Sequence, residues 1–461
     1  MANLKKLSPN KSFEHQLNAI LVNVFIQKKC ANPRLTIAFS GGLDSTVLLH
    51  VLFKINKTLP FKLCAHHVHH GLSTNADAWA DFCSLTCANL GVPLTISNVN
   101  ISKNSGLGVE ATAREARYKA LLSTDVDLIV LAHHQDDQAE TLLLQLARGA
   151  GVKGLAGMAI MSGKLLRPLL DVPRSHLAAY AKQHQLTWIE DESNADLQFD
   201  RNFMRHKVLP IVEESYPRIR QTLSRSAQHM ADANALLDEL ALLDALQAGF
   251  NANKNATVGT SGLGLSSLNL STLKNLSKAR INNCLRWWLA QNGLKMPSQQ
   301  QLLQIVQQLL GAKADAAIQI KVSDFLCVMR YQGYVYLVPN IAVSESINLL
   351  WQGEECMILP DNSRLIFTQK MGEGFALNRF KNIKLRIKNR EGGERFKPAL
   401  GRPYRSLKQV LQTHAMPPWQ REKLPLIFMD ETLVIIPNVG VDANLQASNN
   451  EMGLMVNWFY S

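Results

Sequence analysis

The chain has no run of about 18 apolar residues, so no membrane-spanning helix is expected. No apolar stretch follows the lysines of its opening MANLKKLSPNKSFEHQL segment, which argues against a secretory signal. Cysteine is sparse. Cys30, Cys64, Cys83, Cys87, Cys284, Cys327 and Cys356 are odd in number and scattered, which suits reduced thiols and a cytoplasmic protein rather than a disulfide framework. There is no C-x-x-C. Cys83 and Cys87 stand one helical turn apart with no second pair to complete a metal site, and they are expected in the core. Internal repeats and coiled-coil heptads are also absent. Charged residues make up only 19% of the chain, but they are lopsided, with 49 Lys and Arg against 37 Asp and Glu and a net charge of +12. That excess points to a polyanionic partner, with nucleic acid as the first candidate. A length of 461 residues with 46% hydrophobic residues predicts two or three globular domains.

The first third alternates strand-like and helix-like runs. Leu35–Phe39, Phe61–His67, Pro93–Val99 and Val126–Leu131 read as strands. Asp44–Phe53, Asn75–Leu90, Glu110–Leu122 and Gln135–Arg148 read as the helices that follow them. Four such repeats predict an α/β domain with an open, parallel, doubly wound sheet, whose ligands bind at the carboxyl edge. After Pro210 the pattern changes. Ile219–Leu246, Lys278–Gln291 and Ser298–Leu310 read as helices, Asn251–Thr272 as a loop, and Val322–Val338 as a hairpin turning at Gln332-Gly333. Short strand-like runs at Leu365–Phe367, Ile383–Ile387, Ile427–Phe428 and Leu433–Ile436 dominate the end. The expected domains are 1–216, 217–348 (mostly helical) and 349–461 (small, α+β).

The densest signal is LTIAFSGGLDSTVLLH, a buried strand running through Ser40-Gly41-Gly42-Leu43-Asp44-Ser45 into a helix. Adjacent glycines let the backbone turn its N–H groups toward an anion, and the helix N-terminus adds more donors. Asp44 would repel a bare phosphate but suits one bridged by Mg²⁺. The loop is neither a Walker motif nor a G-x-G-x-x-G fingerprint. A second cluster, LAHHQDDQAETLLLQLARG, places His133, His134, Asp136, Asp137 and Glu140 at a strand-to-helix turn, more polar chemistry than capping requires. Arg114 and Arg117 lie one turn apart, either reaching phosphates or forming a solvated face. His66, His67, His69 and His70 are expected to line the pocket or to pack, rather than to hold structural zinc. Asp191, Asn194, Arg201, Asn202 and Arg205 are too dense in polar function for a plain linker. From Lys381 to Pro425 there are 12 Lys and Arg against 3 Glu, interleaved with Phe396, Tyr404 and Trp419, a mixture suited to phosphates and unpaired bases.

SGGLDS resembles the signature loop of the ATP-pyrophosphatase superfamily. Taken in order, SGGLDS, HHVHHGL, AREARY, AHHQDDQAET and D-x-S-N…R-N-x-x-R resemble the tRNA(Ile)-lysidine synthases over nearly all of the first 210 residues. The R-x-G-G-x-R-F stretch at Arg390–Phe396, Leu407-Lys408 and P-P-W-x-R at Pro417–Arg421 resemble the C-terminal domain of the longer members, which holds the tRNA acceptor stem. The resemblance implies ligation of free L-lysine to C2 of the wobble cytidine of tRNA(Ile) with a CAU anticodon, through an adenylated intermediate, with ATP and Mg²⁺ consumed or bound. It implies that Ser40–Ser45 hold ATP, that Asp44 places the metal, and that Arg114 faces ATP or the intermediate. Asp136, Asp137 and Glu140 would lie near the lysine, with Arg201 and Arg205 supporting them. Arg390, Arg395, Lys408 and Arg421 would contact the tRNA. The rivals are a tRNA thiolase with the same loop, which would need a catalytic cysteine, and an RNA-binding protein that only senses ATP.

Overall fold

The computed structural model describes residues 13–29, 32–71, 73–100, 109–250, 266–313, 316, 318–340, 346–377 and 384–459. Cys30, the opening segment through residue 12, Lys381, Ile383 and most of the Asn251–Thr272 loop lie outside them. The chain divides into two compact units, Met1–Leu237 and Asp238–Ser461. No helix among the described residues is long and apolar enough to cross a membrane.

The first unit begins with α1 (Phe13–Lys28), a helix not foreseen in the sequence. It continues through β1 (Arg34–Ala38), α2 (Leu43–Ile55), β2 (Lys62–His69), α3 (Ala76–Leu90), β3 (Leu94–Asn98), α4 (Val109–Leu122), β4 (Leu128–Val130) and α5 (Gln135–Ala147). After α6 (Val152–Leu155) a short hairpin, β5 (Met161–Ser162) and β6 (Leu165–Leu166), leads to α7 (Arg174–Gln183). The sheet order is β3-β2-β1-β4-β6-β5. The four predicted strands and β6 run parallel, and β5 closes the edge antiparallel.

Why the VDLIVL run is continuously apolar is visible in its packing. Leu128 and Val130 face one core with α1, α2, α3 and α7, while Ile129 and Leu131 face another with Leu121 of α4. Alternation along the strand thus fills both faces of the sheet. β1 lies between β2 and β4, so the chain leaves the sheet in opposite directions after β1 and after β4. That reversal opens a crevice at the carboxyl edge, between the two turns that carry the loop and the carboxylate cluster.

Beyond α7 a short 3₁₀ turn (Glu192–Ala195) leads to α8 (Asp200–Phe203). The helix then widens into one π turn over Met204–Val208 before α9 (Leu209–Ser215) and α10 (Ile219–Gln247). Leu209 N–H donates to the Met204 carbonyl five residues back. Pro210 supplies the cause, since it has no N–H to give and its ring crowds the carbonyl four residues before it.

The second unit contains β7 (Ser267–Asn269), α11 (Leu270–Lys274), α12 (Lys278–Gln291), α13 (Gln299–Gly311), β8 (Gln319–Lys321), β9 (Leu326–Tyr331) and β10 (Tyr334–Pro339). The helices and the hairpin stand where the sequence placed them. A four-stranded sheet, β7-β10-β9-β8, is added, and residues 267–272, expected as loop, form β7 and the start of α11. Ser298 caps α13 through a reciprocal bond pair with Gln301. Gln332 (φ 45°) and Gly333 (φ 78°) make the tight two-residue turn. The remaining residues build a five-stranded sheet around Leu385–Lys388, Leu426–Met429 and Thr432–Ile436. A four-stranded sheet forms around Arg364–Met371 and Met452–Phe459, and the helix Leu407–Thr413 packs with them on one core.

Candidate active site

The Ser40–Ser45 loop is tied down from inside. Ser45 Oγ donates to the Gly42 carbonyl at 3.0 Å, Thr46 Oγ1 donates to the Gly41 carbonyl at 3.2 Å, and Ile189 N–H donates to the Gly41 carbonyl at 2.9 Å. Ser40 Oγ and Ser45 Oγ stand 3.1 Å apart. Gly41 sits at φ +82°, and a Cβ there would lie 2.6 Å from Ile189 Cδ1 and 3.1 Å from Cys83 Sγ. Glycine is therefore required twice, for its backbone angle and for the space. Gly42 is the N-cap of α2 and has no side chain to satisfy the helix's first N–H groups, which leaves them for an anion.

Asp44, in the first turn of α2, meets the second cluster directly. Its Oδ2 is 3.6 Å from His134 Nε2, and its Oδ1 is 3.6 Å from Arg174 Nε. Oδ1 is nonetheless buried with no hydrogen-bond partner. An orphaned carboxylate oxygen beside a phosphate-binding turn fits a cation. Among the described residues no group of three or more His, Cys, Asp or Glu is arranged to hold a metal. The donor set matches Mg²⁺, which binds through one or two carboxylates and completes its shell with substrate phosphates.

His134 ends the β4 turn and is buried among carboxylates. Burial alone would lower its pKa, but Asp137, Asp44 and Asp136 outweigh burial and raise it. Asp137 Oδ2 accepts the His134 backbone N–H at 2.9 Å, so Asp137 also holds the helix start. Glu140 is fully buried. Its Oε1 accepts Arg205 Nε at 2.6 Å, and its Oε2 accepts Arg201 Nε and Arg205 Nη2, both at 3.1 Å. Asp137 Oδ1 lies 3.4 Å from Arg205 and 3.8 Å from Arg201. The i,i+3 pair Asp137–Glu140 thus grips both arginines, and the π turn at Met204–Val208 presents Arg205 to them. Asp136 turns the other way. Its Oδ1 accepts Arg174 N–H at 3.1 Å, and its Oδ2 accepts Arg220 Nη1 at 3.1 Å. Arg220 also grips Glu213 through two bonds of 2.6 and 3.0 Å.

Sequence reasoning did not single out Arg174, Arg220 or Glu213. They lie 38 to 84 residues from Asp136 with no local pattern around them, and only the fold brings them in. A cavity of about 300 Å³ opens here, lined by Gln135, Asp136, Ser175, Glu213, Arg218 and Arg220 among others. A second, of about 240 Å³, is lined by Arg114, Thr141, Gln145, Arg148, Met158 and Arg201 among others.

The four histidines do not converge. His66 Nε2 is 2.9 Å from Ser97 Oγ, His67 Nδ1 is 3.0 Å from the Phe39 carbonyl, and His69 Nε2 is 3.0 Å from Asp77 Oδ1. His70 meets the edge of Trp79. Asp191 caps the 3₁₀ turn by accepting Ser193 N–H at 2.8 Å, and Asn202 Nδ2 donates to the Ser193 and Asp196 carbonyls.

In the second unit, Arg395 and Lys408 are exposed, and Arg390 Nε lies 3.7 Å from Glu394. Arg421 is engaged, with Nε to the Met416 carbonyl at 2.6 Å and Nη2 to Tyr331 Oη at 3.3 Å. Phe396 and Trp419, expected as stacking platforms, are buried at 2% and 9% exposure, and Tyr404 alone of that trio is open. Both fill core positions, Phe396 beside Leu407 and Trp419 against Tyr331 and Tyr336.

A parallel sheet with Ser-Gly-Gly-Leu-Asp-Ser after its central strand, facing a carboxylate-rich helix start across the switch point, defines a PP-loop enzyme. A family model described as the PP-loop domain matches residues 9–212. The TilS substrate binding domain matches 268–336, and the TilS substrate C-terminal domain matches 385–458. The tRNA(Ile)-lysidine synthase of Nitrosomonas europaea is 40% identical over 470 residues, covering 99% of this chain and 98% of that protein. Those of Azoarcus sp. (38% identical, 92% of this chain and 91% of that protein) and Coxiella burnetii (35%, 93% and 94%) are similar along nearly their whole length. The chain belongs to the tRNA(Ile)-lysidine synthase family.

Proposed function

We propose that this protein uses ATP to join free L-lysine to C2 of the wobble cytidine of tRNA(Ile) bearing a CAU anticodon, releasing AMP and pyrophosphate. The observation that carries the reading is the meeting of Asp44 with His134, Arg174 and, through them, Asp136 and Asp137. It joins a phosphate loop to a set of charged groups suited to an amino-acid nucleophile.

The C2 oxygen of the cytidine attacks the α-phosphorus of ATP, and the bond to the β-phosphate breaks. Backbone N–H groups at Gly41, Gly42 and the start of α2, with the Ser40 and Ser45 hydroxyls, hold the departing pyrophosphate. Asp44 would bind Mg²⁺ through Oδ1, and the ion supplies neutralisation of phosphate charge. The lysine ε-amine then attacks C2, AMP leaves, and the amine loses a proton. That amine is nucleophilic only when neutral, so a base must stand beside it.

The cavity at Asp136 suits the other end of the amino acid. Arg218 offers a guanidinium to the α-carboxylate, and Asp136 and Glu213, which share Arg220 between them, turn their remaining lone pairs toward the α-ammonium. Glu140, with both oxygens occupied, acts as a positioning residue for Arg201 and Arg205. The exposed Arg395 and Lys408, with Arg390, are assigned to tRNA phosphates. Arg421 is assigned to shaping that surface, since its guanidinium is held by Met416 and Tyr331.

The test is AMP release from labelled ATP, with and without unmodified CAU-bearing tRNA(Ile) and with and without lysine. Release that needs the tRNA, with labelled lysine becoming attached to it, is expected. AMP release without lysine incorporation would replace the nucleophile and favour a thiolase. Asp44→Ala is expected to lower AMP formation on the order of a thousandfold, the several kcal/mol that metal-assisted charge stabilisation supplies. Turnover like the wild type would remove Asp44 from its role.

A further inference from the structure

Three arginines gather round one phenol in the first unit. The Arg114 and Arg117 guanidiniums stand 5.1 and 5.6 Å from the centre of the Tyr118 ring, and Arg114 Nη2 reaches Tyr118 Oη at 3.5 Å. Arg167, 7% exposed, stands close enough to the same phenol for its charge to draw the phenol's pKa down, and it gives Nη1 to the Ala159 carbonyl at 2.9 Å. Among the described residues no carboxylate pairs with any of the three. The Nε atoms of Arg117 and Arg167, and Nδ1 of neighbouring His133, are buried without a hydrogen-bond partner. A buried guanidinium without a counter-ion is costly, and such a cluster is complete only with an anion. The protonation equilibria lean the same way. Burial pushes the Arg117 guanidinium down, and although burial alone would raise the Tyr118 phenol, the arginines outweigh it and lower the phenol's pKa.

Arg114 is shared with the 240 Å³ cavity, whose other two arginines already have carboxylates, Arg148 on Asp200 at 2.9 Å and Arg201 on Glu140 at 3.1 Å, so that among the described residues Arg114 is the cation left over there. The cavity follows Thr141, Leu144, Gln145 and Arg148 along α5, away from the helix start that faces Asp44. At 1.5 Å per residue that stripe lies roughly one to three helical turns from the phosphate loop side of the site. An ATP molecule whose phosphates rest on Ser40–Ser45 does not supply a second phosphate there, whereas a polynucleotide strand does.

We propose that Arg114, Arg117 and Arg167, floored by Tyr118, form a subsite for a phosphodiester of the RNA strand beside the reacting nucleotide. The proposal rests on the tRNA reading above; it gives Arg114, expected from the resemblance to face ATP or the intermediate, to the RNA strand, and adds Arg117 and Arg167, to which that reading assigns no contact.

The test titrates the whole chain, wild type against Arg117→Met and Arg167→Met, with a labelled anticodon stem-loop and separately with a non-hydrolysable ATP analogue, alongside thermal melting. Stem-loop affinity is expected to fall on the order of tenfold, and the slope of log K against log salt to become shallower by about 1. Nucleotide affinity should hold, and Tm should stay or rise, because an uncompensated charge has left the interior. If a methionine variant melts early, Arg117→Lys and Arg167→Lys keep the charge but lose the planar fork, and the same fall in RNA affinity is expected of them. Wild-type RNA binding by folded variants overturns the subsite. Loss of nucleotide affinity with RNA binding intact overturns its assignment to RNA. Failure of the parent reading would look different: the wild type itself would bind the stem-loop no better than an unrelated hairpin, and the RNA assignment would fall with it.

Discussion

Glu140 Oε1 accepts the Arg205 Nε hydrogen bond at 2.6 Å with no access to solvent, although the two residues are 65 positions apart. The contact binds the turn after β4 to the π turn that precedes α9. Arg201 and Arg205 keep 22% and 27% of their side-chain surface, so water screens them partly. Removing one member of a buried pair leaves the other charge stranded. Glu140→Gln is therefore expected to lower stability by about 3 kcal/mol, the lower end of the range for breaking such pairs. A denaturant titration of the variant checks this. Wild-type stability would mean that the arginines find other acceptors.

Gly41 leaves no room for a side chain. Gly41→Ala places a methyl 2.6 Å from Ile189 Cδ1 and puts a non-glycine residue at φ +82°. The left-handed angle alone costs about 1–2 kcal/mol, and the collision adds to it. We expect the chain to fold with the loop displaced. ATP-analogue affinity, measured by calorimetry, should fall at least about tenfold, which is the 1.4 kcal/mol that the backbone angle alone can supply. Unchanged nucleotide affinity would show that the loop's N–H groups do not hold the phosphates.

How far the sequence exposed this site depends on the range of its signals. The loop and the α5 turn were legible because each is one strand-to-helix junction, where glycines, carboxylates and apolar periodicity sit within about a dozen residues. The parallel sheet was legible because VDLIVL is apolar on both faces. α1 was not, since its buried Leu17, Leu21, Val24 and Phe25 sit in a segment apolar on several sides without a clean stripe. The partners of Asp136 were hidden for a topological reason: Arg174 and Arg220 arrive from α7 and α10, and no periodicity links them to α5. Phe396 and Trp419 misled because aromatics among basic residues look alike whether they stack on bases or fill a core.

His133 makes stability depend on pH in a definite direction. Burial chiefly lowers its pKa from 6.5 to about 3; Asp137 opposes this, and Arg201, Arg117 and Arg167 reinforce it. The folded state refuses a proton that the unfolded chain accepts. Stability is then full above the unfolded value and is lost as pH falls from 6.5 toward 3, by up to about 1.4 kcal/mol per pH unit. Between pH 7 and pH 5 the wild type should lose about 2 kcal/mol more than His133→Asn. Urea melts at the two pH values decide it, and equal losses in the two proteins would show that His133 titrates normally.

The cysteines separate lysidine formation from thiolation. Cys83 and Cys87 are buried in the core against α2 and the sheet, and burial pushes their thiols up to about 12 and about 11. A thiol held so far above neutrality is almost wholly protonated, and the thiolate is the reactive form. Cys64, half-buried on β2, is the remaining described cysteine of this unit. A thiolase would lose its activity with one of them. Here Cys64→Ser, Cys83→Ala and Cys87→Ala should each keep tRNA-dependent AMP release and lysine attachment. Cys83→Ala, which deletes only the sulfur of a buried thiol, should lower Tm by no more than a few degrees, in line with a small cavity in a domain of this size. A variant that stays folded and still loses lysine attachment would return sulfur chemistry to the site.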